Sequence, residues 1–292
     1  MARRRMLRVV IFKFLRLGTI LLLAGVIGAT LMRIAPGFTA DEQQLNSSLS
    51  ERSREAIRQA HIRNADLPRF YLHYLSGLVR GDLGVSQSLN QPVAELLRDR
   101  LPSTLRSLAI ALVLAWILGM ALAAAVQLSG SRAFAFAAEE LSAGLISTPA
   151  AVLALVFVVL RWPPPLAASV LILPKIYRYC RNLLEESYQL PHVLAARAKG
   201  AGQWRVLAWH VAPTAFPQIV ALVGVSISIA IGVLLPIEVI CDVPGIGQLA
   251  WLAAESRDLP LLVNLTLIVT CLTVCATTLA DVARDGFARR VA

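Results

Sequence analysis

Lysine is scarce in this sequence. Only Lys13, Lys175 and Lys199 occur, and none stands in a glycine-rich run ending in Gly-Lys-Ser/Thr. Such a loop cradles nucleotide phosphates with backbone N–H groups and a lysine charge, so its absence excludes ATP hydrolysis by that route. Neither a Gly-x-Ser-x-Gly nucleophile elbow nor a His-Glu-x-x-His metal-and-base pair is present. The commonest serine-hydrolase and zinc-protease patterns are therefore missing. Cysteine is also sparse: Cys271 and Cys275 share one helical face in an apolar run, while Cys180 and Cys241 lie far apart. They read as small buried residues, not as a disulfide framework. The four histidines, His61, His73, His192 and His210, fall outside the apolar runs and form no metal-ligand set by spacing. Charged residues make up only 16% of the chain against 57% hydrophobic, well below the quarter or so usual in soluble domains.

What is abundant is bilayer-length apolar sequence. A helix needs about 20 mostly apolar residues to cross the hydrocarbon, and candidate spans lie near 14–34, 102–127, 139–160, 164–182, 215–240 and 260–283. With a mean hydropathy of +0.66, an all-α membrane protein of about six transmembrane helices is expected. A cleaved signal peptide is the alternative for the first span, although Leu17–Met32 is long for a signal core. Pro149 should kink the third span. The fourth is the weakest, because Lys175, Arg178 and Arg181 recur at helical spacing in its lower part and must snorkel or leave the membrane.

The net charge of +10 is placed for a membrane, not for nucleic acid. Arg3, Arg4, Arg5, Arg8, Lys13 and Arg16 immediately precede the first apolar run, as the positive-inside rule expects of a cytoplasmic anchor. Six spans put both termini and the basic region 192–210 in the cytoplasm and the segment 36–101 outside. That outer segment is balanced, with eight basic residues against eight acids. The expected organisation is an anchor helix and extracytoplasmic segment over 1–101, then a transmembrane domain over 102–292. No internal repeat is evident.

The stretch HVLAARAKGAGQWRVLAWH, from His192 to His210, interrupts this pattern. Good helix formers precede Gly200, and after Gly202 the residues Trp204, Leu207, Ala208 and Val211 fall at i, i+3, i+4 and i+7. That spacing predicts one apolar stripe on a second short helix. Two short helices joined at Gly200-Ala201-Gly202 are expected, since glycine permits a left-handed backbone. An ordinary interfacial hairpin, with its arginines on lipid phosphate, is the plainer alternative.

The segment AARAKG (Ala195, Ala196, Arg197, Ala198, Lys199, Gly200), with His210 ten residues after that glycine, resembles the cytoplasmic coupling loop of ABC-importer permeases of the dipeptide, oligopeptide and nickel branch. Leu194 stands where the general importer pattern has an acid, and Ala212-Pro213 where it has Leu-Pro. The resemblance continues through VRGDLGVSQSLNQPVAELLRDRLPSTLRSL (Val79–Leu108), Glu238, PGIG (Pro244–Gly247), RDLP (Arg257–Pro260) and Asp281, all in order. Several ordered motifs are far more specific than one. The chain departs from the pattern in a connection reduced to little more than RWPPP between the third and fourth spans, and in Pro191, which interrupts the helix leading into the coupling loop.

The resemblance implies a permease subunit of an ATP-driven importer in the bacterial inner membrane, carrying peptides or a related small solute. It would have no catalytic residues, metal or cofactor of its own. Its implied partners are a second permease, two ATPase subunits holding ATP and Mg, an extracytoplasmic solute-binding protein and membrane lipid. Ala195–Gly200 and His210 would couple to the ATPase. Glu238 with Pro244, Gly245 and Gly247 would lie at an outer pathway or gate. Gly81, Asp82, Gly84 and Ser86 would touch the binding protein. Plainer readings exist for the last two groups: Glu238 as an interfacial acid that only caps or pairs, and the PGIG and GDLGVS segments as simple turns. Rival functions are an ion-coupled secondary transporter and a membrane scaffold with a basic docking loop.

Overall fold

In the computed structural model the described residues are 82–291 together with Gly18, Thr19, Leu22, Leu23, Val26 and Thr30, and these six are helical. Most of the expected first span and most of the segment 36–101 lie outside the described residues, as does Gly81.

The described residues form helices and no strand longer than a single Val85–Pro92 bridge. Helix α1 runs Val93–Ser129, α2 Arg132–Ser147, α3 Ala150–Val159 and α4 Pro164–Tyr188. Then come two short helices, α5 Pro191–Ala198 and α6 Gln203–Val206, and a π turn at Leu207–Val211 that leads directly into α7, Ala212–Ile240. Helices α8 Ile246–Glu255 and α9 Leu259–Val291 complete the order. The described residues are all-helical, as expected of the fold class.

Among the described residues three helical stretches are long and apolar enough to cross a membrane: Val93–Ser129, Gln203–Ile240 and Pro260–Arg284. A fourth is counted if α2 and α3 are taken as one span bent by 94°. The break falls at Thr148-Pro149, where Pro149 takes an extended N-cap conformation and restarts the helix. The kink expected there is thus a sharp turn. At 37 residues α1 is about 55 Å long, well beyond a hydrocarbon core of about 30 Å, so it must project from the bilayer.

Helix α4 forms where the fourth span was expected. Its three cations Lys175, Arg178 and Arg181, however, keep it below the apolarity of the other candidates. Pro163 caps it and Pro164 and Pro165 fill its first turn, where the missing proline N–H groups cost nothing. Ala168, Leu171, Ile172, Ile176, Tyr177, Cys180 and Leu184 are buried at helical spacing. That face packs against α2, α3 and α7, which makes α4 a core helix with a charged edge.

By contacts the chain divides into two compact units. Among the described residues one comprises 100–248 and 272–291, the other 82–99 and 249–271. Within the first, small residues admit close helix packing. A Cβ added at Gly119 would come within 3.1 Å of Ile176 Cγ2, and one at Gly224 within 3.0 Å of Thr277 Cα. Polar ties cross the same helices: Trp116 Nε1 donates to Ser226 Oγ at 3.0 Å, and Arg181 pairs with Glu139.

Candidate functional site

The interrupting stretch folds as two short helices reversed at glycine. Helix α5 starts at Pro191, placed at its first position, where a ring-locked φ favours helix and no N–H is needed. Pro191 therefore both ends the run of α4 and begins the next helix. Ala195, Ala196, Arg197 and Ala198 form the last turn of α5, and Lys199 caps it. Gly200 takes φ +80°. The N–H of Ala201 reaches the Ala196 carbonyl at 3.2 Å, the longer bond of a left-handed helix cap. Leu194, Arg197 and Lys199 are exposed.

The second half differs from expectation. Trp204 is 72% exposed and Ala208 is exposed, while Val206 and Val211 are the buried pair. The stripe expected at Trp204, Leu207, Ala208 and Val211 assumed a 3.6-residue period, but residues 207–211 form a π turn. A wider turn brings residues five apart onto one side. Here it closes the stretch on itself: His192 Nε2 lies 3.5 Å from both the His210 carbonyl oxygen and Thr214 Oγ1, and Thr214 Oγ1 donates to that carbonyl at 2.9 Å. His210 Nδ1 is buried without a hydrogen-bond partner.

Glu238 lies in the last turn-and-a-half of α7, only 1% exposed. Its carboxylate sits beneath the following turn, where Oε2 accepts the Gly247 N–H at 2.7 Å and Oε1 has no partner. Both glycines of the turn are required by close approach. A Cβ on Gly245 would overlap the Glu238 carboxylate, and one on Gly247 would overlap the Leu235 carbonyl oxygen. Pro244 is exposed. The α7 end is closed by Asp242 at φ +51°, with the Val243 N–H reaching the Glu238 carbonyl at 2.9 Å. Thr104 Oγ1 accepts the Ile246 N–H at 2.8 Å, Arg100 donates to Gln248 Oε1 at 2.8 Å, and Gln248 in turn binds Asp242. Of these, Thr104, Arg100, Gln248 and Asp242 carried no signal by spacing.

The loop 82–92 is a tight turn in the second unit. Asp82 Oδ1 accepts the Gly84 N–H at 2.8 Å, and Gly84 takes φ +74°. Asp82 and Gly84 are exposed, but Ser86 is fully buried, its hydroxyl directed to Asp258 of the RDLP motif. Asn264, the one amide in the apolar run after that motif, is also buried and reaches back to the Leu83 carbonyl at 2.8 Å. It is not among the expected site residues; an amide within a membrane-length apolar run is the signal that could have singled it out.

Comparison with known proteins identifies the family. Residues 121–292 match the family described as binding-protein-dependent transport system inner membrane component. The chain belongs to this family. It is 30% identical, over 87% of its length and 89% of the relative's, to a putative peptide permease protein of Brucella ovis. It is similar also to an oligopeptide transport system permease of Bacillus subtilis, at 26% identity over 90% and 92%. A glutathione transport system permease of Escherichia coli matches at 27% over 71% and 74%. The protein is thus a multi-pass permease subunit of an ABC importer.

Proposed function

We propose that this permease carries peptides or a related small solute across the bacterial inner membrane. It would be driven by two ATPase subunits that bind ATP and Mg, beside a second permease and with an extracytoplasmic solute-binding protein. The peptide class comes from the names of its relatives. The observation that carries the coupling assignment is the hairpin of α5 and α6. It is reversed at Gly200 and presents Leu194, Arg197, Lys199, Trp204 and Arg205 outward, a compact basic and apolar surface suited to a protein groove. We assign ATPase coupling to Ala195–Gly200 with His210, and both termini to the cytoplasm. We keep the division into an anchor and outer segment, 1–101, and a transmembrane domain, 102–292. Glu238 with Pro244, Gly245 and Gly247 is assigned to the outer end of the pathway, where a buried carboxylate under a rigid turn would hold that end closed until α7 moves. The loop of Gly81, Asp82 and Gly84 is assigned to the binding-protein side; Ser86, expected there as well, is fully buried and holds the loop from within. Alternating access would follow from ATPase closure pushing on the hairpin and tilting α7, which is continuous with it.

The test is Gly200→Val. Nothing lies within 4 Å of a Cβ at this position, so crowding is not the issue. The left-handed backbone is, at about 1–2 kcal/mol for a non-glycine residue and worse for a β-branched one. The variant should insert normally but co-purify with several-fold less ATPase and show reduced solute uptake. Gly202→Ala, at φ −60° with open space, should behave as wild type. Full ATPase recovery and uptake in Gly200→Val would return the hairpin to a lipid-surface role.

A further inference from the structure

We propose that Asp258 is a positioning residue that latches the loop 82–92 onto the first turn of α9, so that the loop and the start of that helix, residues 259–271, move as one body. Its two carboxylate oxygens have separate tasks. Oδ1 accepts the Leu261 N–H at 3.1 Å, and the Asp258 carbonyl accepts the Leu262 N–H at 3.0 Å, the pattern of a helix N-cap. Oδ2 takes three donors from the loop: the Ser86 hydroxyl at 2.5 Å, the Ser88 N–H at 2.9 Å and the Ser88 hydroxyl at 2.8 Å. These partners are 170 and 172 residues away in sequence. No local turn requirement brings them together.

A helix needs a cap, and one oxygen supplies it. The convergence of three loop donors on the other oxygen is surplus to capping, and hydrogen bonds to a charged acceptor are about twice as strong as neutral ones. A second tie stands further along the same helix. Asn264 Nδ2 donates to the Leu83 carbonyl at 2.8 Å while also holding the Pro260 carbonyl at 2.7 Å. The loop is also stiff within itself. Ser86 N–H reaches the Gln91 carbonyl at 2.9 Å, Val93 N–H reaches the Gly84 carbonyl at 3.0 Å, and Val93 at its base is fully buried. A rigid turn tied at two levels to one helix transmits displacement, whereas a turn packed only by apolar contact can slide. Val85 and Leu89 stand on its exposed side, 56% and 42% accessible. The inference rests on the importer reading only for what presses on that side, the solute-binding protein.

The experiment compares wild type, Asp258→Asn and the double variant Ser86→Ala/Ser88→Ala in the assembled transporter in lipid vesicles. Asparagine still offers one oxygen to the helix cap but no second acceptor for the Ser88 N–H. The double variant keeps the cap entirely and removes two of the three loop donors. Amide hydrogen exchange across 82–92 should be roughly tenfold faster in Asp258→Asn and measurably faster in the double variant, while peptides in 102–129 exchange as in wild type. With purified binding protein titrated in, the concentration giving half-maximal stimulation of ATP hydrolysis should rise several-fold in both, with the maximal rate within about twofold of wild type. A purely structural residue would lower the maximum instead. Unchanged exchange in both variants overturns the latch, and so does faster exchange in Asp258→Asn alone, which would reduce Asp258 to a cap. Faster exchange in both with an unaltered response to the binding protein leaves the latch standing and refutes the loop as the contact.

Discussion

Asp258 shows how a single carboxylate is tuned by where it sits. Burial pushes its pKa up, but the Ser86 hydroxyl, the Ser88 amide and hydroxyl and the Leu261 amide outweigh this and hold it below the ordinary aspartate value. Its partners on the loop do not titrate in the acid range; Arg257 and Glu255 are the nearest charges in sequence, and Asp82 stands in the loop itself. A depressed folded value means that the ionised carboxylate stabilises the fold at every pH above the unfolded value, about 3.9, and that this is lost as pH falls through the folded one. The difference in unfolding midpoint between wild type and Asp258→Asn should therefore be constant from about pH 5 upward and shrink below about pH 4. A difference that grows on acidification would contradict this. Gly247 makes a steric counterpart. Alanine there meets a backbone carbonyl that cannot yield and should destabilise by about 1–3 kcal/mol. Gly232→Ala, with open space around it, should not destabilise. Thermal unfolding of both in detergent checks the pair, and equal midpoints would refute the close approach.

At the scale of elements, the contact between α7 and α9 is set by one missing side chain. A Cβ at Gly224 would lie 3.0 Å from Thr277 Cα and 3.1 Å from the Ala276 carbonyl oxygen, so the helices approach as small-residue packing in membranes allows. Gly144 on α2 is a matched control, since nothing stands within 4 Å of its Cβ position. Both replacements by alanine gain up to about 1 kcal/mol of helix propensity. Gly144→Ala should thus be neutral or stabilising, while Gly224→Ala should lose more than it gains and lower the unfolding midpoint. Stabilisation in both would show that α7 and α9 are not in contact at this point. The expected and observed elements agree most closely where helix formers meet a strong stop, as at Gly200. They diverge at the π turn, because a change of helical period leaves no mark in the spacing of Trp204, Leu207 and Ala208. Only the burial of Val206 and Val211 reveals it.

At the scale of the whole molecule, most of the surface of the described membrane-length helices is not buried by the chain itself. Of the apolar windows in Val93–Ser129, Gln203–Ile240 and Pro260–Arg284, only 28%, 33% and 22% are buried internally. Residues such as Ile117 and Val159, 60% and 80% exposed, require lipid or a partner chain. The orientation proposed from charge is open to a labelling experiment. In a background lacking Cys180, Cys241, Cys271 and Cys275, a cysteine at exposed Gln87 should react with an impermeant thiol reagent on intact cells. One at exposed Gln203 should react only after the membrane is opened. Labelling of Gln203 from outside would invert the arrangement and remove the coupling assignment with it.

The sequence by itself determined the class of fold, the break at Pro149, the reversal at Gly200 and the family. Each depends on residue type in local order: apolar length, a ring-locked φ, a glycine in left-handed backbone, motifs in succession. The tertiary structure alone decided the rest. Left-handed caps end α3 and α8 at Arg161 and Arg257, residues that give no local warning, because the surrounding fold holds them in a conformation that costs about 1–2 kcal/mol each. The burial of Glu238 under Gly245 and Gly247 and the meeting of His192 with His210 depend on how helices return upon one another. So does the clasp of Ser86 and Ser88 on Asp258: hydrogen bonds fix partners by distance and direction in space, and a linear pattern specifies neither for residues 170 positions apart.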